Sequence, residues 1–186
     1  FGDGSDSITV FNGLTPGAAG AIESFNIGGT PMSLSDLRQL YLSEQTTAGN
    51  DRIYGSDSAD TLTGGTGDDV LQGRDGSDIY VFKRGDGKDV IDDNGAGDTD
   101  KLTIQGYNFS DALFYKPAAP DQTLLIKFVN STDQITIVNT LNGNAADQIE
   151  TFEFDDGPQS LASVKLQILP AAYVTITGTT AANAIA

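Results

Sequence analysis

From residue 46 to residue 81 an apolar residue recurs every nine positions, at Ile53, Leu62, Leu71 and Tyr80. Each is the middle of a triplet: Arg52-Ile53-Tyr54, Thr61-Leu62-Thr63, Val70-Leu71-Gln72 and Ile79-Tyr80-Val81. Six residues rich in Gly, Asp and Ser separate the triplets. A helix would repeat its apolar positions every three or four residues, so the pattern predicts very short strands instead. Each strand has one inward side chain, and the glycines supply the unusual backbone angles of the turns. Two looser rows follow, with turns two residues longer, and end in Val90-Ile91 and Lys101-Leu102. Two rows make one coil of 18 residues, so each turn stacks on the turn two rows away.

Beyond residue 104 the pattern changes. Ala112–Lys116, Leu124–Phe128 and Gln134–Val138 carry apolar alternation or compact apolar runs and are predicted strands, with residues 129–132 at the tip of a hairpin. Ile149, Phe152 and Phe154 belong to a further strand. Ser160 or Ser163 then caps a short helix running to about Ile168. Residues 6–42 align without a gap on residues 133–169, which predicts the same elements there: a hairpin tip at 2–5, then a strand, then a helix capped by Ser33 or Ser35. Residues 178–186 resemble the row that starts at Gly55. Phe82, Phe109, Phe114, Phe128, Phe152 and Phe154 are expected in the core, with Tyr80 and Phe82 packing the end of the coils against the later strands.

The expected architecture is all-β: a short parallel β-roll packed with antiparallel segments, each followed by a short helix. Residues 1–45 are read as the second half of one module, 46–104 as the roll, 105–169 as the segment repeating 1–42, and 170–186 as the start of another module. The chain thus reads as a monomeric slice of a longer tandem array.

Charge adds the chemistry. The chain holds 26 acidic residues against 10 basic ones, a formal net charge of -16, and 22 glycines. Such a chain repels nucleic acid and anionic membranes. The acids are mostly Asp beside Gly in the predicted turns, at Asp51, Asp60, Asp69 and Asp78, with Asp89 and Asp100 in the longer rows. Coiling places Asp51, Asp69 and Asp89 along one edge, and Asp60, Asp78 and Asp100 along the other. Stacked carboxylates repel, and a hard divalent cation that accepts six to eight oxygens reverses the sign, which points to several calcium ions.

These rows resemble the RTX, or haemolysin-type, calcium-binding repeat Gly-Gly-x-Gly-x-Asp-x-apolar-x, and residues 64–72 fit every constrained position. The resemblance implies a parallel β-roll with calcium between stacked turns, held by carbonyls and by the Asp of each turn. One site would then use Thr47, Gly49 and Asp51 with Gly64, Thr66 and Asp69. The opposite site would use Ser56, Ser58 and Asp60 with Gly73, Asp75 and Asp78. A further site would use Gly65, Gly67 and Asp69 with the longer turn ending at Asp89, through the Arg84 and Asp86 carbonyls. The first turn lacks its leading glycines and the second has Ser58 where Gly is usual. Residues 105–169 resemble the segment that commonly follows such repeats in secreted bacterial proteins.

The implied role is a structural module of a secreted or cell-surface protein that folds on calcium after export. The alternatives are an adhesive module with a cell-surface or glycan ligand, and a non-catalytic part of an exoenzyme or toxin. No enzyme is expected. The chain has no Cys and no His, which removes thiolates, imidazole bases and ordinary zinc sites. It has no Gly-x-Ser-x-Gly elbow, no phosphate loop and no Asp-Pro bond at which to cleave itself. Glu150 with Glu153, and Asp155 with Asp156, could be imagined as acid pairs, but read as solvated turn and edge charges. No apolar run of 18 residues predicts a membrane span.

Overall fold

The structure is a computed structural model and describes residues 24–27, 30–95, 99–117 and 122–169. The hairpin expected at 1–8 and the row expected at 178–186 lie outside those residues. The chain divides into two compact units, 1–43 and 44–186. In the first, β1 (Ser24–Ile27) pairs antiparallel with β2 (Thr30–Ser33), and α1 (Leu34–Gln45) follows, its last two residues falling in the second unit. Ser33 starts the helix. Its Oγ accepts the Asp36 amide at 3.1 Å, and its own amide donates to Asp36 Oδ2 at 2.7 Å, a reciprocal cap.

The second unit begins with β3 (Arg52–Tyr54), β4 (Thr61–Thr63), β5 (Val70–Gln72), β6 (Ile79–Lys83), β7 (Lys88–Ile91) and β8 (Lys101–Gln105). It continues with β9 (Ala112–Tyr115), β10 (Leu124–Phe128), β11 (Gln134–Ile137), β12 (Thr151–Phe154) and β13 (Gly157–Ser160). The short helix α2 (Leu161–Lys165) and β14 (Ile168–Leu169) complete it. From β3 to β8 successive strands alternate between two sheets. One has the order β14-β9-β10-β11-β7-β5-β3, the other β13-β12-β8-β6-β4.

The nine-residue apolar period becomes two inward columns. Ile53, Leu71, Ile91 and Ile137 are neighbours across one sheet, and Leu62, Tyr80, Leu102 and Phe152 across the other. All are buried. Full burial of such side chains stabilises by roughly 1.5–3 kcal/mol each. A three-residue strand contributes only one of them, so the core of the early coils is thin.

The roll does not stop at residue 104. β11 pairs parallel with β7, and β12 pairs parallel with β8, so residues 134–137 and 151–154 form another coil on the same two sheets. The expected division of roll from following segment is therefore not a break in the sheets. One antiparallel part is the excursion β9–β10, which folds back onto β11 through the turn at 129–133, and the other is the β12–β13 pair. Phe128 from that excursion stacks on Phe82 at 5.9 Å and on Tyr107 at 3.9 Å between centroids. Phe109, half-buried, meets Phe114 and Phe154.

The internal duplication is visible in the register. Ser24↔Ser33 in the first copy corresponds to Thr151↔Ser160 in the second, and the helix follows at the same place. Ser160, not Ser163, is the cap of α2, its Oγ accepting the Ser163 amide at 3.2 Å. The helix expected to reach Ile168 ends at Lys165 instead. Ile168 and Leu169 are extended because the open edge of β9 offers them a parallel partner.

Candidate metal centre

The turns of the roll collect along two edges. Turns leading into β3, β5 and β7 form the first edge; turns leading into β4, β6, β8 and β12 form the second. Close stacking requires glycine. A Cβ on Gly67, whose φ is 141°, would lie 2.5 Å from the Gly49 carbonyl oxygen, and one on Gly65 2.7 Å from that of Thr47. The chain passes at that distance because no side chain intervenes.

On each edge the aspartates form a ladder of backbone-to-carboxylate bonds. On the first, the Asp51 amide donates to Asp69 Oδ1 at 2.7 Å, and the Asp69 amide to Asp89 Oδ1 at 3.1 Å. On the second, the Asp60 amide donates to Asp78 Oδ1 at 2.9 Å, and the Asp78 amide to Asp100 Oδ1 at 2.7 Å. Asp89 and Asp100 thus occupy the same columns as the earlier aspartates despite their longer turns. Where leading glycines are missing, a hydroxyl residue holds its own aspartate: the Thr47 amide donates to Asp51 Oδ2 and the Ser56 amide to Asp60 Oδ2, each at 2.6 Å.

The two ladders end differently. On the second edge the Asp100 amide donates to Glu150 Oε2 at 2.8 Å, so Glu150 is a fourth rung and not a solvated charge. The sequence carries the signal: Asp78, Asp100 and Glu150 each precede strand residues that are apolar at the second and fourth positions. On the first edge Ile135 lies opposite Asp89 and closes the ladder with an apolar side chain. Asp133, two residues earlier, is diverted: its Oδ2 accepts the Gly85 amide at 2.7 Å and the Tyr107 hydroxyl at 2.6 Å.

Other acids read as solvated charges are structural. Glu153 pairs with Lys101 at 2.9 Å. Asp155 accepts the Gly106 amide, and Asp156 the Phe109 amide. The remaining expected ligands are partly brought to the ladders. Ser58 stacks on the second edge, its carbonyl against Gly76 of the next turn. Gly64 and Gly73 are held against the carboxylates of Asp69 and Asp78. Thr66 and Asp75 are exposed on the turns. The Asp86 carbonyl accepts the Gly67 amide at 2.7 Å, which leaves it one lone pair. Arg84 directs its guanidinium 3.9 Å above the Tyr107 ring and donates to the Gly106 carbonyl.

The ladders are electrostatically incomplete. Asp60, Asp69, Asp78, Asp89, Asp93 and Asp100 are all buried. Asp60 Oδ1, Asp69 Oδ2 and Asp93 Oδ2 are buried with no hydrogen-bond partner. Leaving such an acceptor unpaired costs about 1–3 kcal/mol, more when it is charged. The strain shows in the protonation equilibria. Burial, then Asp51 and Asp68 nearby, raises the Asp69 carboxyl above its ordinary range. Burial, aided by Asp69, Asp86 and Asp68, raises Asp89 to about 7. Burial, aided by Asp100 and Asp78, raises Asp93 to about 8. Two carboxylates 4.8 Å apart, the reach of the Asp78, Asp93 and Asp100 group, repel by roughly 3–4 kcal/mol at an effective dielectric near 20. Buried, donor-starved oxygens beside exposed-carbonyl turns are a donor set for a hard oxygen-seeking cation, so the residues present fit calcium.

Comparison with known families agrees with this chemistry. Residues 45–80 and 54–88 match the family described as RTX calcium-binding nonapeptide repeat (4 copies). Residues 124–158 match the family described as haemolysin-type calcium binding protein related domain. No curated protein matches the chain.

Proposed function

We propose, starting from a chain that is a calcium-binding module of the RTX type, that its task is to fold when calcium becomes available outside the cell. The observation that carries this reading is the pair of aspartate ladders, in which the buried Asp60 Oδ1 and Asp69 Oδ2 have no hydrogen-bond donor. At low calcium those carboxylates must be protonated or mutually repelled, and the thin core of the early coils offsets little of that cost. A divalent ion that binds the folded ladders and not the extended chain turns binding free energy into folding free energy. The ions would lie between stacked turns, held by Asp51, Asp69 and Asp89 on the first edge and by Asp60, Asp78 and Asp100 on the second, with turn carbonyls completing them. The module would thus be loose during export and stiff at the cell surface or in the medium.

Circular dichroism melts in calcium and in excess chelator test this directly. Chelation should abolish most of the strand signal and lower the melting temperature. A melt that is the same in both conditions would remove the proposal.

A further inference from the structure

The second edge holds an acid that the repeat pattern does not call for. Continuing the parallel register of β3, β5 and β7 by two residues puts Gly55, Gly73 and Asp93 in one column. At Gly73 a Cβ would collide with the Asp78 carboxylate and the Tyr80 hydroxyl. The third turn nevertheless carries an aspartate there. It has more length to do so: seven positions separate Asp93 from Asp100, where five separate Gly73 from Asp78.

Asp93 points inward and not to solvent; it is 1% exposed. Its Oδ1 accepts the Tyr80 hydroxyl at 2.7 Å, while Oδ2 is buried without a hydrogen-bond partner. An oxygen from each of Asp78, Asp93 and Asp100 lies within 4.8 Å of the others, and all three residues are buried. Asp78 and Asp100 also receive ladder amides on Oδ1, which fixes them in place.

We infer that Asp78, Asp93 and Asp100 form an interior calcium site of three carboxylates, separate in kind from the turn-carbonyl sites and created by aspartate at a glycine position. Three anionic ligands with a neutral phenol behind them favour a hard divalent or trivalent cation. The inference rests on the calcium reading above, and the two fail differently.

The test is calcium stoichiometry of the 186-residue chain by calorimetric titration, for wild type, Asp93→Asn, Asp93→Gly and Asp57→Asn. Both Asp93 variants should bind one ion fewer than wild type, and Asp57→Asn the same number. Terbium emission excited through tyrosine should fall in both Asp93 variants to the level of Tyr80→Phe. Unchanged stoichiometry in the Asp93 variants overturns the interior site alone; no calcium bound by wild type overturns the functional reading too. Asp93→Gly restores the residue of the two preceding turns and guards against a misfolded Asn variant. If neither variant folds, an anomalous-scattering map of terbium-soaked wild-type crystals decides: a peak among the three carboxylates supports the site, and none refutes it.

Discussion

Replacing Asp69 by Asn should change stability with opposite signs in the two states of the ladder. Asp69 is fully buried, sits mid-ladder on the first edge, and has a carboxyl oxygen with no donor. In chelator its charge is a liability, as its raised carboxyl equilibrium indicates. Asn keeps the shape and an acceptor for the Asp51 amide, adds a donor, and removes one negative charge. Relief of an unsatisfied buried acceptor is on the order of 1–3 kcal/mol. For a chain of this size that is a rise of about 2–10 °C in melting temperature. In calcium the sign reverses. A site at one hundred times its Kd stabilises by about 2.7 kcal/mol, and a tenfold weaker site by roughly 1.4 kcal/mol. Asp69 lies between two stacked turns, so two sites weaken and the loss is about 2–3 kcal/mol, a fall of roughly 5–10 °C. Paired calorimetric melts in calcium and in chelator measure both arms. Asp57→Asn, an exposed turn acid off the ladder, is the control and should move neither. A fall of equal size in both conditions would mean that Asp69 is only a packing residue, and the reasoning would be wrong.

The ladder's protons give a second expectation. Asp89 and Asp93 bind protons more tightly when folded, with values near 7 and 8 against an ordinary 3.8. Their stabilisation of the metal-free fold is complete below the ordinary value and is lost as pH rises through about 7 to 8. The chelated protein should therefore melt lower at about pH 8.5 than at about pH 5, while calcium affinity rises over that window; a chelated melt that rises with pH would contradict this. Gly67→Ala should destabilise by about 1–3 kcal/mol, since its φ is 141° and a Cβ would press on the Gly49 carbonyl. Gly143→Ala, with positive φ but open space, should cost clearly less in denaturant titration. Glu150→Gln keeps an acceptor for the Asp100 amide but removes the last charge of the second ladder. Calcium affinity should fall roughly tenfold, and the chelated melt should also fall modestly, since the Asp100 amide exchanges a charged acceptor for a neutral one at a cost of about 1 kcal/mol.

The parts legible in the sequence are those set by local period. One inward residue in nine placed Ile53, Leu62, Leu71 and Tyr80 in the core, and phase alone put the aspartates on alternating edges. The duplication foretold the strand over Phe152 and Phe154 and the capped helix after it, because both copies carry the same Pro-x-Ser lead into the helix; the partner strand β13 was not foreseen, and the turn before it differs between the copies. What escaped was long-range register. Residues 129–132 read as a hairpin tip and not as a calcium turn, but the sequence did not show that β11 pairs with β7 and sets Ile135 beside Asp89. Gln134–Ile137 reads equally well as half of a hairpin and as a coil strand, and it is both at once, with β10 on one side and β7 on the other. Asp93 was hidden because a glycine column tolerates a side chain only where the turn below it lengthens, and no local pattern reports that.

The outermost strand of the second sheet has a consequence for association. Parallel stacking of identical coils has no natural end, since each backbone edge is a template for the next strand, in the same chain or in another. β13 lies at the edge of that sheet and carries Pro158, opposite Glu153. Proline has no N–H to give an incoming strand, and antiparallel β13 breaks the direction in which coils accumulate. Pro31 stands at the equivalent place in the earlier copy, opposite Asn26. The same residue that ends the second sheet thus guards its outer edge against an incoming strand, so growth from that edge into a continuous cross-strand filament is blocked.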